Sequence, residues 1–218
     1  MQRDNHIIKK LPIRFTGQEV RALLDGRKTQ THKAIKPQPK PFNNGVHDWA
    51  WETKTTAIYW RTDELGESLF MPGHCPYGQP GDLLWVRETW KPSRSWVSPE
   101  ICNDTYIRYK ADNSRQVVSH NLGGSATDRW RPSIHMPRWA SRITLEVVNV
   151  RVERVQEIGI ESIIAEGIDA EHRTGQGAST EQLRSRFAGF WDSINAKRGF
   201  GWDKNPWVWV IEFKVIDK

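Results

Sequence analysis

Cysteine is scarce: the 218 residues hold two, Cys75 and Cys102. Such a pair cannot staple a secreted scaffold, and no histidine stands at ligand spacing to complete a tetrahedral zinc site. Both read as free thiols, and no metal or other cofactor is expected. Long apolar runs are missing as well. No stretch approaches the roughly 18 residues a membrane span needs, and the opening MQRDNHIIKKLP carries no apolar block of the signal-peptide kind. The expectation is a cytoplasmic chain with no membrane partner. Internal repeats are absent too. With 37% hydrophobic and 27% charged residues, disorder throughout and fibrous architectures are excluded. The balance fits a single domain over 1–218 that carries large insertions.

Two features are plentiful, positive charge in places and tryptophan. The net charge is +6, but residues 1–40 hold ten basic and three acidic side chains, so the rest of the chain is close to neutral. A second basic stretch runs through Arg129, Arg131, Arg138, Arg142, Arg151 and Arg154 with only Glu146 and Glu153 among them, whereas 155–171 has five acids and no Lys or Arg. Segregation of this kind favours a polyanionic partner, nucleic acid before membrane because no basic amphipathic helix is visible. The alternative is an ordinary solvated basic surface. Twelve tryptophans exceed what packing alone calls for, and an indole outside the core is a face on which a base can stack.

Leu11–Phe15 reads as a strand. Thr16-Gly-Gln-Glu19 then has the form of a capping box, and Val20, Leu23 and Leu24 repeat at helical spacing until Gly26 ends the helix. The polar loop Arg27-Lys28-Thr29-Gln30-Thr31 follows. From Lys36 to Pro80, prolines and scattered tryptophans mark an inserted region, 36–80, and 91–140 reads as a second insertion, with 113–137 as a long loop. Leu83–Val86 reads as a buried strand whose polar end, Arg87-Glu88, emerges at a rim, and Thr105–Ala111 reads as another strand. Ile143–Val152 changes parity and requires either a bulge near Val147 or cover on both faces. Helices are expected over Gly159–Glu166 and from Thr180, the second with Leu183, Phe187, Phe190, Trp191 and Ile194 on one face. Trp207–Ile216 alternates, and Trp207, Trp209 and Phe213 are expected among the main packing residues.

The order of these elements, with Gly26-Arg-Lys28-Thr-Gln-Thr31, Gly81-Asp-Leu-Leu-Trp-Val86, Ala165-Glu166-Gly167 and Trp207-Val-Trp-Val-Ile-Glu-Phe213, resembles the ASCH family, a branch of the PUA-like small β-barrels. Through Cys75-Pro-Tyr-Gly78, Val86-Arg-Glu-Thr-Trp90, Pro132-Ser-Ile-His-Met-Pro-Arg-Trp139 and Pro206-Trp-Val-Trp209 it looks most like the longer ASCH proteins of phages and prophages, which would place it in a host cytoplasm. The resemblance implies an α+β fold: a curved, mostly antiparallel barrel with flanking helices and loop-rich insertions. It also implies a cleft where the segment after the first helix meets the acidic helix. Members include RNA binders, reported ribonucleases and an amidohydrolase acting on N4-acetylcytidine. That enzyme's catalytic Lys and Thr match Lys28 and Thr31, and its Glu is matched approximately by Glu166. A basic residue two after the Thr, usually Arg, is Lys33 here, which lacks the planar two-point grip of a guanidinium.

Chemically, Lys28, Thr31 and Glu166 suit amide cleavage without metal, as charge stabiliser, attacking or water-positioning hydroxyl, and proton shuttle. The same three could equally bind a base or its phosphate. Lys28 has no local acid to neutralise it and Glu166 no local base; if the two meet in one site, removing Lys28 is expected to leave folding nearly unchanged but to abolish ligand binding or turnover. Arg27, Lys33, Arg87 and Glu88 are candidates for the cleft, Arg87 and Glu88 alternatively as a mutual ion pair. Arg138, Trp139 and Arg142 combine phosphate contact with stacking. The favoured expectation is an RNA- or single-strand-binding protein that recognises a modified base. An amidohydrolase of acylated nucleosides and a phage structural or protein-partner module are the alternatives.

Overall fold

In a computed structural model the described residues are 7–42, 49–52, 57–60, 75–94, 105–118, 129–169 and 177–217. In chain order the elements are β1 (Lys10–Arg14), α1 (Gly17–Leu24), β2 (Gln30–Ala34), β3 (Lys40–Pro41), β4 (Trp49–Glu52), β5 (Ala57–Trp60), β6 (Leu83–Arg87), β7 (Trp90–Arg94), β8 (Thr105–Tyr109), β9 (Arg115–Val118), β10 (Thr144–Arg154), α2 (Ile160–Ala165), α3 (Thr180–Asn195) and β11 (Trp207–Asp217). The fold is α+β. It divides into two compact units, one of residues 1–26, 81–146 and 214–218, the other of 27–80 and 147–213. Cys102, His74 and His120 lie outside the described residues; Cys75 is buried, which pushes its thiol up to about 12. Among the described residues no helix is long and apolar enough to cross a membrane.

In the first unit β1 pairs in parallel with β6, and β6 pairs antiparallel with the first residues of β10, Thr144–Glu146. Ile13, Leu84, Val86, Ile143 and Leu145 from these strands are buried, as are Val20 and Leu23 of α1. The start of α1 is fixed as its sequence predicts: the Glu19 amide donates to the Thr16 hydroxyl at 3.3 Å and the Thr16 amide to the Glu19 carboxylate at 2.7 Å. Gly26, at φ 74°, takes the left-handed turn that ends it. The antiparallel sheet β7–β8–β9 corrects the expectation of one long loop over 113–137. Its first residues turn at Asn113, φ 61°, into a paired strand, because a polar Asp-Asn-Ser turn needs no apolar signal to close a hairpin. The inward face of this sheet packs Trp90, Ile107 and Tyr109 against Met136 and Ala140.

In the second unit β2 pairs antiparallel with β11, and β3–β4–β5 form a small antiparallel sheet. Helix α3 begins with a capping box at Ser179, one residue before the expected Thr180. It lays Leu183, Phe187 and Trp191 on Val155, Ile158, Ile163, Val208 and Val210. Trp207 to Ile211 are all buried, so β11 is covered on both faces and its alternation sorts residues between two packed layers, not between core and water. The inward parity of β10 changes at Val148 and Asn149, two consecutive exposed positions between buried Val147 and buried Val150. Within each unit the described sheets are open, with β1 at the edge beyond β6 and β2 at the edge beyond β11.

Trp209, 1% exposed, lies edge-on to Trp51 at 5.9 Å. Trp209→Ala should destabilise by about 3–5 kcal/mol through lost transfer energy and the cavity left behind. Urea unfolding of the variant beside the parent checks this, and equal midpoints would mean the packing is not structural.

Candidate ligand site and its buried charge network

The loop after α1 and the end of α2 meet through backbone first. Lys28 and Glu166 form a two-residue antiparallel bridge, and the Thr29 amide donates to the Ala165 carbonyl at 2.8 Å. The side chains follow. Lys28 Nζ makes an ion pair with Glu166 Oε2 and donates to the Glu166 carbonyl at 3.1 Å, with the Lys side chain fully inaccessible. Glu166 Oε1 accepts from the His32 amide and stands 2.7 Å from His32 Nδ1. On the far side of the imidazole, Nε2 lies 3.0 Å from Glu153 Oε1. Glu153 Oε2 accepts from Arg151 Nε at 3.2 Å, and Arg151 in turn pairs with Glu212 and donates to the Ser162 hydroxyl at 3.3 Å. Charges of alternating sign therefore run from Lys28 in the interior to Arg151 and Glu212, whose side chains are about a third exposed.

The electrostatics follow from this order. Burial works against the charge of Glu166, but Lys28 and His32 outweigh it and hold its carboxyl at about 2. Burial likewise opposes charge on His32, yet two carboxylates facing its two ring nitrogens raise its pKa above the ordinary 6.5. Glu153 is held below the carboxylate range by His32 and Arg151 despite its burial. Each ring nitrogen faces a carboxylate oxygen, an arrangement that favours the protonated imidazole. Phe187 closes its edge at 5.6 Å.

Beside this network lies a cleft of about 490 Å³ lined by Thr29, Gln30, Val148, Arg151, Glu161, Ser162, Ala165, Glu212 and Phe213. Gln30 is 4% exposed, and its Nε2 is buried without a hydrogen-bond partner. Gln30 and His32 face one side of β2, Thr31 and Lys33 the other, because successive residues of a strand alternate.

The structure brings Lys28 and Glu166 together, and neither lines the cleft. Thr31 is not with them: its buried hydroxyl makes no hydrogen bond, and its register partner is Ile211. Lys33 shares that face, opposite Trp209. Arg27 is exposed and donates to the Gly167 carbonyl at 2.8 Å, tying down the end of α2. The expectation that Lys28 is dispensable for folding is corrected by its burial against Glu166.

The remaining predicted residues belong to the first unit. Arg87 and Glu88 are not an ion pair: Arg87 donates to the Ile134 carbonyl and lies over Trp85, while Glu88 accepts two bonds from Arg142, at 2.9 and 3.0 Å. Arg142 is not a free phosphate contact. Its other donors go to Asp112, at 2.8 and 3.1 Å, and to the Ser114 hydroxyl at 2.7 Å, and its guanidinium lies 4.0 Å over the Tyr109 ring. Arg138 is exposed and Trp139 half-buried, edge-on to Trp90 at 5.9 Å.

His32, Glu153, Arg151, Gln30 and Glu212 escaped the sequence reading. The signal was there for the first four in strand parity, since Lys28, Gln30 and His32 recur every second residue, as do Arg151 and Glu153.

No protein-family model matches this chain, and no curated protein does. Among solved structures it is similar to the crystal structure of protein EF3133 from Enterococcus faecalis V583, described as DUF984. The TM-score is 0.40 and the identity 9%, over 98% of this chain and 83% of that one. A likeness so weak carries no argument about fold or function.

Two predictions follow from the charges. His32, with its folded pKa above 6.5, contributes stability that is full below 6.5 and lost as pH rises through the folded value; Glu166 contributes stability that is full above 4.5 and lost as pH falls toward about 2. Unfolding free energy should therefore be greatest between these limits, and His32→Gln should flatten its decline on the alkaline side, as urea titrations across pH would record. In the first unit, Arg142→Ala strands Glu88, 1% exposed, and should cost roughly 3 kcal/mol or more, since breaking a buried pair leaves a charge without its counter-ion. An unchanged melting curve would rule out the structural role.

Proposed function

We propose that this chain is an ASCH-type, PUA-like protein that binds RNA or single-stranded nucleic acid and takes one base into the cleft bounded by Gln30, Arg151, Ser162 and Glu212. The observation that carries the reading is that the buried network is fully paired and ends on the cleft wall. It orients Arg151 instead of offering a reactive group. A buried ionic chain is a poor source of stability, because desolvation cancels much of its Coulomb gain, so its use lies in holding side chains in place.

The lining suits a polar heterocycle better than a phosphate. Arg151, Ser162 and the unpartnered Gln30 amide offer donors, Glu161 and Glu212 offer acceptors, and Val148 and Phe213 supply apolar surface. A base edge presents both donors and acceptors, whereas a phosphate would be repelled by two carboxylates facing one already paired arginine. The volume lies within the range of small-ligand sites, about 300–1,000 Å³.

The amidohydrolase reading keeps one observation in its favour, the Lys28–Glu166 contact beside the cleft. Against it, Glu166 is held ionised between two cations, His32 has no free nitrogen, and Thr31 lies on the opposite face of β2. A proton shuttle needs a group able to take up and release a proton within reach of substrate.

Calorimetric titration with cytidine, N4-acetylcytidine and short RNAs, paired with mass spectrometry of the nucleosides, separates the readings. Binding without turnover, weakened about tenfold or more by Arg151→Ala, is the expected result. Acetate release by the parent, lost in Glu166→Gln while binding persists, would establish the enzyme instead.

A further inference from the structure

The outward face of β7–β8–β9 carries a row of cations that the register makes explicit. Lys91 on β7 lies directly opposite Arg108 on β8, which lies directly opposite Arg115 on β9. Residues directly opposite in an antiparallel sheet share a face, and like charges so placed repel. Trp90, Ile107 and Tyr109 take the inward face, so the row lies on the opposite face, where Lys91 is buried, Arg108 half-buried and Arg115 exposed. None of the described positions on that face is acidic.

Arg108 and Arg115 are in no ion pair among the described residues, and the Asn113 side chain beside Arg108 is uncharged. Arg108 donates to the Asn113 side chain at 2.6 Å while its Nε is buried without a hydrogen-bond partner. Arg115 is exposed. Aromatic surface adjoins the row at both levels. Trp90 is bridged to Arg131, which sets Trp130 beside Lys91, and Lys91 Nζ lies 5.0 Å over the Trp130 ring. Trp130 remains 38% exposed. Tyr106, two residues before Arg108 on β8, shares the row's face and is half-buried.

We propose that the outward face of β7–β8–β9 is a binding surface for single-stranded nucleic acid, with phosphates on Arg108 and Arg115 and bases stacked on Trp130 and Tyr106, while Lys91, 7% exposed, lies buried under Trp130 and adds its charge from beneath. Charge complementarity selects the occupant. Arg108 and Arg115 stand one strand spacing apart, about 5 Å, so an extended polyanion can meet both at once. The flat rings beside it give a sequence-tolerant hold that favours a single strand over an anionic lipid surface. The inference extends the nucleic-acid reading of the proposed function but does not depend on the cleft, which lies in the other unit.

Arg115→Glu is the decisive variant. Its side chain is exposed, and a glutamate opposite Arg108 is a favourable cross-strand pair, so folding is kept. Fluorescence anisotropy of the full chain with labelled oligouridylate and oligothymidylate should show affinity falling about tenfold or more in Arg115→Glu, with a shallower salt dependence, and Arg115→Lys retaining most of the binding. The two oligomers tell RNA from DNA. Unchanged affinity and salt slope in Arg115→Glu overturn the proposal. So does binding to phosphatidylserine vesicles without binding to either oligomer. If nucleosides fail to bind while oligomer affinity still depends on Arg115, the cleft reading falls and this one stands.

Discussion

The carboxylate of Glu166 is the constraint on which the second unit's charged interior depends. Its two oxygens serve two elements: one takes the Lys28 ammonium, the other takes the amide and ring of His32. The connection spans more than 130 residues of sequence and fixes the entry into β2 against the end of α2. Remove it and two buried cations lose their counter-charge together, a situation worse than losing either pair alone. The backbone bridge at Lys28 and Glu166 is too short to hold these segments in register unaided, so side chains and backbone enforce one another here.

That arrangement also decides what chemistry is open to the site. A group works as an acid or base when its proton is loosely held and its atoms are reachable. Glu166 fails on both counts, being buried and pinned in its ionised form, and His32 spends both nitrogens on carboxylates. The network's members that reach the cleft are Arg151 and Glu212, beside Glu161 from α2. Along the network each member is paired with the one behind it, and the last two, Arg151 and Glu212, border the cleft. A chain built this way specifies a direction for hydrogen bonds, which is what recognition of a planar, polar group requires.

Much of the fold was legible because it rests on local rules. The capping box at Thr16, the left-handed Gly26, the helical spacing of Leu183, Phe187 and Trp191, and the parity change in β10 are each written in a few consecutive residues. The pairing of Lys28 with Glu166 was legible only through resemblance, since neither has a partner nearby in sequence. His32 was legible only as the third member of the every-second-residue series Lys28, Gln30, His32, a pattern that places it beside Lys28 once 28–34 is read as extended. The hairpin β8–β9 was hidden for a different reason: its turn and outward face are polar throughout, so composition alone reads as loop. Arg142 was misjudged because its neutralising acids, Glu88 and Asp112, sit 54 and 30 residues away.

Counting charges along a sequence therefore overstates what a partner can feel. Part of the surplus of the first forty residues is committed inside the protein: Lys28 is buried against Glu166, while Arg21 and Arg27 stay exposed but are tied to the Ala111 and Gly167 carbonyls, each at 2.8 Å. In the second basic stretch Arg142 and Arg151 hold carboxylates, and Arg154 lies over the Trp49 and Trp207 rings while donating to Asn205. Long-range attraction depends on charge that is neither neutralised by an adjacent acid nor removed from water. Arg115 and Arg138 meet that condition, exposed and in no ion pair among the described residues. They carry no more formal charge than Arg142, yet a polyanion approaching the first unit would respond to them and hardly to it. The electrostatic face of this protein is set by where its acids are buried as much as by where its bases are displayed.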